Sequence, residues 1–303
     1  MDISIIIVNY KTGDLVMDCI RSIQEKTSGV EYEIIVVDNA SGDGSVPLIR
    51  EAFPNIRLIA NETNNGFGKG NNIGITYATG KYCFLLNPDT CLMNNALHML
   101  YDFMEHNEQN NIAMCGGKLH DRENRPALSF GKFPSVWSLL LYSLPFTRLL
   151  RRGEGMVPDK KRDAFIVDFV SGADLFIRRD LLESIGAFDE NYFAYYEETD
   201  LALRATRAGY RAAIVPSAGI YHFEGKSFKE PLRRRKLMFE SSLYYLQKHA
   251  NNKLLFHLYS RLNEMKYRMY GLFVDAIART AYREMIDLAK SYRDGYGQKY
   301  AAK

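Results

Sequence analysis

Short β-branched runs alternate, along the first third of the chain, with stretches in which apolar residues recur every third or fourth place. Ile3 to Val8 reads ISIIIV, the unbroken apolar signature of a strand buried on both faces, and it ends in Asn9 and Tyr10. Val16, Cys19, Ile20 and Ile23 then follow the i, i+3, i+4, i+7 spacing of a helix that Asp14 is expected to cap. Glu33 to Val37, Ile56 to Ile59 and Tyr82 to Leu86 predict three more strands. Helices are expected at Val46 to Phe53 and from the glycine-rich stretch to Thr79. Polar residues begin where each strand stops: Asp38 to Ser45 after the second, Asn64 to Asn72 after the third, Asn87-Pro88-Asp89-Thr90 after the fourth. This β-α-β-α-β-α-β order predicts an α/β fold, with a mostly parallel sheet, right-handed crossovers and helices on both faces. Ligands of such sheets bind beyond the carboxyl ends of the strands, so the site is expected there.

The rhythm breaks at Arg125 to Asp163, an insertion that sets Trp137, Leu139 to Tyr142 and Phe146 among Arg148, Arg151, Arg152, Lys160, Lys161 and Arg162. It fits an interfacial helix on anionic lipid, a lid above an acceptor, or a helix packed on the core. Val167 to Ile177 predicts another strand region, carrying Ser171, Gly172, Ala173 and Asp174; Ala212 to Val215 predicts a strand that stops at Pro216. From Glu230 the sequence is helical in character. Leu254, Leu255, Leu258, Leu262, Met265, Met269 and Leu272 form a stripe expected to pack in a core or a dimer, with membrane attachment as the alternative. The tail from Ser291 to Lys303 reads as solvated. Two domains follow, 1–229 with its insertion at about 125–163, and a helical extension at 230–303.

Composition narrows the classes. A net charge of +3 on 303 residues gives no reason to expect nucleic acid. The four cysteines lack metal-ligand spacing and fit a reducing setting. The start of the chain predicts no secretory leader. The longest apolar stretch, Val136 to Leu150, is broken by Pro145 and Arg148 and falls short of the roughly 20 residues of a spanning helix. A cytoplasmic protein, peripheral on the inner face of the membrane, is expected.

Candidate chemistry gathers in Tyr192 to Arg207, YFAYYEETDLALRATR, where Glu197, Glu198 and Asp200 open a helix behind Phe188 and a run of aromatics. Acids suit a helix N-terminus, but a carboxylate walled by aromatics also gains the raised pKa of a general base. Gly66-Phe67-Gly68-Lys69-Gly70 fits either close approach to phosphates, with Lys69 adding charge, or a plain loop into a helix capped by Asn64 and Asn65. Asp89, fixed by Pro88 after a buried strand, suits either a divalent cation on a diphosphate or an Asx-turn. His222 suits a diphosphate-facing loop with Gly225, Lys226 and Ser227, or a structural hydrogen bond. Small residues at Gly172 and Ala173 leave room for a sugar or permit tight backbone packing.

In their order along the chain, SIIIVNYK (Ser4 to Lys11), VVDNASGDGS (Val36 to Ser45), NNGFGKGNNIG (Asn64 to Gly74), LLNPDT (Leu85 to Thr90), SGADLFIRR (Ser171 to Arg179), GAFDENYFAYYEETDLALR (Gly186 to Arg204) and His222 resemble glycosyltransferase family two. That family comprises inverting nucleotide-sugar transferases of GT-A fold, and the likeness is to its bacterial rhamnosyltransferase-like branch. The resemblance implies a nucleotide-sugar donor, dTDP-rhamnose or a UDP-sugar, held by Asn9, Tyr10, Asp38, Asn39, Asn65, Gly66, Lys69, Asn87 and Asp89. It implies Mg²⁺ or Mn²⁺ at Asp89 and His222, and a catalytic base at Glu198 with Asp200 as competitor. Gly172, Ala173, Asp174 and Glu197 would line the acceptor and sugar pocket. The acceptor is expected to be a cell-surface polysaccharide or a lipid-linked saccharide, with contact to a membrane surface and a homodimer among the expected associations. Two departures stand out: Asn87-Pro88-Asp89 replaces the common Asp-x-Asp, and Glu198 stands where an Asp is usual. A noncatalytic scaffold of polysaccharide assembly and a GT-A-like nucleotidyltransferase are the competing functions, with dinucleotide oxidoreduction further behind.

Overall fold

β1 (Ile3–Asn9) is buried at every position, as befits a strand paired on both edges and covered on both faces. In the computed structural model, which describes residues 1–142, 154–223, 231–249, 252–272, 274 and 276–295, it leads into α1 (Gly13–Lys26), β2 (Tyr32–Asp38), α2 (Ser45–Ala52), β3 (Arg57–Ala60), α3 (Gly66–Thr76) and β4 (Tyr82–Leu86). The predicted alternation therefore holds element for element. These strands pair in parallel in the order β3-β2-β1-β4, and Asn9 lies opposite Asp38, which sets the polar strand ends side by side. The caps differ from expectation. Asp14 lies in the first turn of α1; the N-cap is Thr12, whose N–H and hydroxyl both donate to Asn9 Oδ1. Asn65, the N-cap of α3, makes no side-chain cap bond, while Asn64 Oδ1 accepts from Gly66 N–H at 2.9 Å.

The chain continues through β5 (Thr90–Leu92), α4 (Ala96–His106), β6 (Ile112–His120), β7 (Phe130–Gly131), α5 (Val136–Tyr142), β8 (Phe165–Val167), β9 (Phe169–Val170), β10 (Asp174–Arg178), α6 (Arg179–Ile185), α7 (Glu197–Arg207) and β11 (Arg211–His222). β10 runs antiparallel between β4 and β6; β11 pairs in parallel with β6 and antiparallel with β5 and β8. Among the described residues this makes a mixed nine-stranded sheet. Alternating residues feed two cores. Ile5, Ile7, Val36 and Phe84 join Val16, Ile20 and Leu97 on one face, while Ile6, Val37, Cys83 and Leu85 join Leu181 and Leu201 on the other. Cys19, Cys83 and Cys115 are buried thiols, as their apolar surroundings predict.

β11 does not stop at Pro216. Val215 pairs with Gly117 and the next partner pair is Gly219 with Lys118, so Pro216 to Ala218 bulge out of a strand that resumes and ends at His222. A proline has no N–H for a ladder and is tolerated at such a bulge. The Ala218 carbonyl comes so close that a Cβ at position 117 would meet it at 2.4 Å, which accounts for Gly117.

The chain divides into two units, Met1–Phe133 with Gly153–Phe193 and Glu197–Lys229, and Pro134–Arg152 with Ala194–Tyr196 and Glu230–Lys303. The second holds α5 together with α8 (Pro231–His249), α9 (Lys253–Gly271) and α10 (Ala276–Gly295). Its core is aromatic: Tyr267 meets Phe239, Tyr270 and Tyr282, and Arg235 donates to the Tyr282 hydroxyl at 2.9 Å. α10 runs on to Gly295, past the expected start of a solvated tail, and Arg293 pairs with Glu264 at 2.9 Å. The stripe on α9 is not core. Phe256, Tyr259, Asn263 and Tyr267 form the buried face, whereas Leu254, Leu258, Leu262, Met265 and Met269 are exposed. Within the described residues no helix is long and apolar enough to cross a membrane. Pro145, Phe146, Arg148, Arg151, Arg152, Gly225, Lys226 and Ser227 lie outside the described residues.

Candidate active site

Three loops at the strand ends build the site within the first unit. The first joins the β1 and β2 ends. Asn9 donates to Asp38 Oδ1 at 2.7 Å and to the Ser45 hydroxyl at 2.9 Å; Asp38 also accepts from the Ser41 hydroxyl at 2.5 Å and the Ser41 N–H at 3.0 Å. Asn39 donates to the Gly66 carbonyl and accepts from Asn61. Asn9, Asp38 and Asn39 are thus buried and committed to each other and to the loop backbone, while Tyr10 is half-buried with Lys11 over its ring.

The glycines of α3 serve packing. Gly66 has φ +77°, a conformation a side chain disfavours, and a Cβ there would lie 2.2 Å from the Phe193 carbonyl, which accepts from Phe67 N–H. A Cβ at Gly70 would strike Val8 and Asn39, and one at Gly74 would strike Ile6. Lys69 pairs with Glu190 at 3.3 Å. Asn72, which the sequence did not single out, brackets Phe188 by donating to its carbonyl and accepting from its N–H, each at 2.9 Å. Its only sequence signal is its place inside NNGFGKGNNIG.

α7 then presents its acids. Asp200 is fully buried and pairs at 2.8 Å with Arg204, whose guanidinium also donates to the carbonyls of Ile185, Gly186 and Ala187. That clamp gives Asp200 a structural load. Glu197 is buried near Phe188, its Oε2 without a hydrogen-bond partner; burial first, and the Glu198 charge second, push its carboxyl well above the usual range. Glu198 is half-buried, the Thr199 hydroxyl lies 3.5 Å from its Oε1, and burial raises its pKa too. Its stem faces Gly172: a Cβ on that glycine would sit 3.7 Å from Cβ and Cγ of Glu198 and 3.6 Å from the Phe67 ring. Gly172 thus lets the backbone pass within van der Waals reach of the Glu198 stem and the Phe67 ring.

From Gly172 the backbone leads to the third loop. The Ala173 carbonyl accepts from Asn87 N–H at 2.9 Å, and Thr90 closes the turn by donating to the Asn87 carbonyl. The β5–β11 ladder sets His222 opposite Thr90, so His222 Nε2 lies 3.5 Å from Asp89 Oδ1 and 3.4 Å from Asn87 Nδ2. Asp89 is 3 % exposed and the His222 side chain 11 %. Asp174, by contrast, is fully buried; its Oδ2 accepts from Gly117 N–H at 2.6 Å, Oδ1 has no hydrogen-bond partner, and burial drives its pKa well up. It braces the bulge in β11. The predicted residues Asn87, Asp89, Gly172, Ala173, Glu198 and His222 therefore form one connected cluster, while Asp174 and Asp200 sit behind it. Among the described residues no three acids, histidines or cysteines converge as a full metal cage. One carboxylate with one imidazole nevertheless fits Mg²⁺ or Mn²⁺, which take few protein ligands when phosphate oxygens complete the sphere.

Comparison with known proteins gives a consistent result. Residues 4–185 match the family described as Glycosyl transferase family 2. The low-salt glycan biosynthesis hexosyltransferase Agl10 of Haloferax volcanii is 29% identical over 212 residues, 68% of this chain and 62% of that protein, so the match spans less than two thirds of that relative. The N-acetylglucosaminyl-diphospho-decaprenol L-rhamnosyltransferase of Mycobacterium tuberculosis is 24% identical over 242 residues, 74% of this chain and 76% of that one. Rhamnosyltransferase WbbL of Escherichia coli is 25% identical over 232 residues, 72% and 82% of the two chains. In fold, the chain is similar to GalNAc-T7 crystallised with UDP, GalNAc and Mn²⁺, with a TM-score of 0.61 at 12% identity, over 100% of this chain and 57% of that chain. The expected GT-A architecture with C-terminal helices holds.

Proposed function

The chain belongs to glycosyl transferase family 2, and we propose that it transfers a sugar, with inversion, from a nucleoside diphosphate onto a saccharide hydroxyl. The observation that carries this is the cluster that joins Glu198, a half-buried carboxylate whose pKa is raised by burial, through Gly172 and Ala173 to the Asp89–His222 pair. Glu198 takes the proton of the acceptor hydroxyl as that oxygen bonds to the anomeric carbon and the bond from that carbon to the diphosphate breaks. Asp200 anchors the helix through Arg204, and burial together with the neighbouring Glu198 charge pushes the Glu197 carboxyl toward its neutral form. Asp89 and His222 would hold a divalent cation, which when bound supplies positive charge for the departing diphosphate. Tyr10 offers a ring for the base, and the Asn9–Asp38–Asn39 network fixes the loop that carries it.

The names of the rhamnosyltransferase relatives favour rhamnose as the sugar, so the donor proposed is dTDP-rhamnose, with a UDP-hexose next. The diphospho-decaprenol named in one of them supports a lipid-linked saccharide as acceptor ahead of a finished polysaccharide. The test offers dTDP-rhamnose and UDP-hexoses with Mn²⁺ and a panel of saccharide acceptors, and follows the nucleotide product. Release of nucleoside diphosphate that depends on acceptor and is lost in Glu198→Gln is expected. Release of pyrophosphate, or donor binding without turnover on any acceptor, overturns the reading in favour of a nucleotidyltransferase or a scaffold.

A further inference from the structure

α9 is apolar on both sides. Opposite its buried face, Leu254, Leu258, Leu262, Met265, Met269 and, just past its end, Leu272 are exposed, Leu254 at 79 % and Met265 at 65 %. The helix carries Lys253, Arg261, Lys266 and Arg268 against a single acid, Glu264, which is occupied by Arg268 and Arg293. The exposed face is therefore apolar with basic flanks. In the same unit Trp137 of α5 is 62 % exposed.

On the buried side of α9, reaching the edge of the stripe at Lys266, lies a cavity of about 560 Å³ formed by α5, α8, α9 and Tyr196. Arg234, Arg235 and Lys266 supply three cations to its wall, Tyr259 and Tyr267 supply rings, and among the described residues no acid lines it. Lys266 follows Met265 directly and stands one helical turn after Leu262, so the cationic wall borders the apolar stripe. The cost of this arrangement is visible: burial and the nearby Arg235 both push the Lys266 ammonium pKa down. Cations held together without a counter-charge are relieved by a bound anion.

We propose that this cavity takes the phosphate head group of an anionic lipid, while the exposed face of α9 and Trp137 rest in the membrane surface around it. The apolar stripe favours a lipid phosphate over a free one, since only a lipid covers the stripe as it fills the cavity. A second copy is a poorer occupant: a two-fold contact through α9 would set basic flank against basic flank. The inference rests on the helical unit alone and stands apart from the identity of the donor.

Trp137 is the sole tryptophan, so its emission reports the event in the unlabelled full chain. Vesicles of phosphatidylcholine alone are compared with vesicles also containing phosphatidylglycerol, by Trp137 emission and by flotation. Blue-shifted emission and flotation with the anionic vesicles only, reversed by added salt, are expected. Arg234→Gln and Lys266→Gln should each weaken vesicle binding about fivefold, the equivalent of ~1 kcal/mol per basic side chain at an anionic surface. Met265→Glu, at an exposed position, should also release the protein, and thermal melting of each variant certifies the fold. Equal binding to neutral vesicles overturns the head-group site. So does stabilisation by inorganic pyrophosphate without vesicle binding, which would assign the cavity to a free phosphate. A concentration-dependent dimer in light scattering, broken by Met265→Glu and indifferent to vesicles, overturns the membrane in favour of self-association.

Discussion

The Asp38 loop and the Glu197–Glu198 turn both bury carboxylates in one unit, yet they spend them differently. Asp38 accepts three hydrogen bonds from Asn9 and Ser41 and fixes a loop. Glu197 leaves an oxygen without a partner, Glu198 takes a long contact from the Thr199 hydroxyl, and burial pushes both toward the protonated form. A saturated carboxylate holds shape, because its acceptor capacity is used up. One buried with its capacity unspent has a proton affinity suited to catalysis.

The sharpest way to break this comparison is Glu198→Gln, which should lower kcat by ~10²- to 10⁴-fold while donor binding, read by thermal shift, stays in place. Near-normal turnover would move the base elsewhere. The wild-type rate carries a related sign. The proposed base must be ionised to act and the folded Glu198 pKa is raised, so activity should fall as pH drops through a midpoint above ~4.3, the ordinary glutamate value. Next in size, Asp89→Ala or His222→Ala should weaken Mn²⁺-dependent binding of dTDP or UDP by at least ~10- to 100-fold in titration calorimetry, and chelation should mimic it in wild type. Asp38→Ala should instead appear in the melt, at about 1–3 kcal/mol, because Asn9 and Ser41 are left buried with unmade bonds. A loss of rate with an unchanged melting temperature would make Asp38 a binding group rather than a brace.

Smallest is Asp174→Asn, which keeps an acceptor for Gly117 N–H without the titrating proton. The folded Asp174 pKa is raised, so the stability it lends is full below ~3.9 and is lost as pH climbs through the folded value. The variant should therefore gain on wild type from pH 4 upward, by an amount that denaturant melts at several pH values can read.

Much of the first unit was legible because its signals are local. Continuous apolar runs gave β1, β2 and β4, and the acids opening α7 mark a helix start in the sequence itself. What escaped depends on neighbours distant in sequence. The glycines of α3 look like a phosphate loop until the Phe193 carbonyl and Val8 are seen against them. Pro216 reads as a stop because nothing local announces that β11 resumes beyond a bulge. Asn72 clamps a backbone more than a hundred positions away, and Asp174 looks like a pocket residue until Gly117 is found to hold it. The stripe of α9 carries the spacing of a buried face because periodicity reports sidedness, while the face that is covered depends on the partner helices.

The pairing of Asn87 with His222 spans 135 positions. During synthesis the first four strands and their loops can leave the ribosome and pair while the half-site at Asp89 still lacks its imidazole. Only when β11 has crossed its bulge and zipped onto β5 does His222 arrive beside Asp89. A product cut short before that strand could pair its first four strands and would still lack the imidazole beside Asp89, so the contact that joins the two halves of the proposed metal site is among the last that synthesis makes possible.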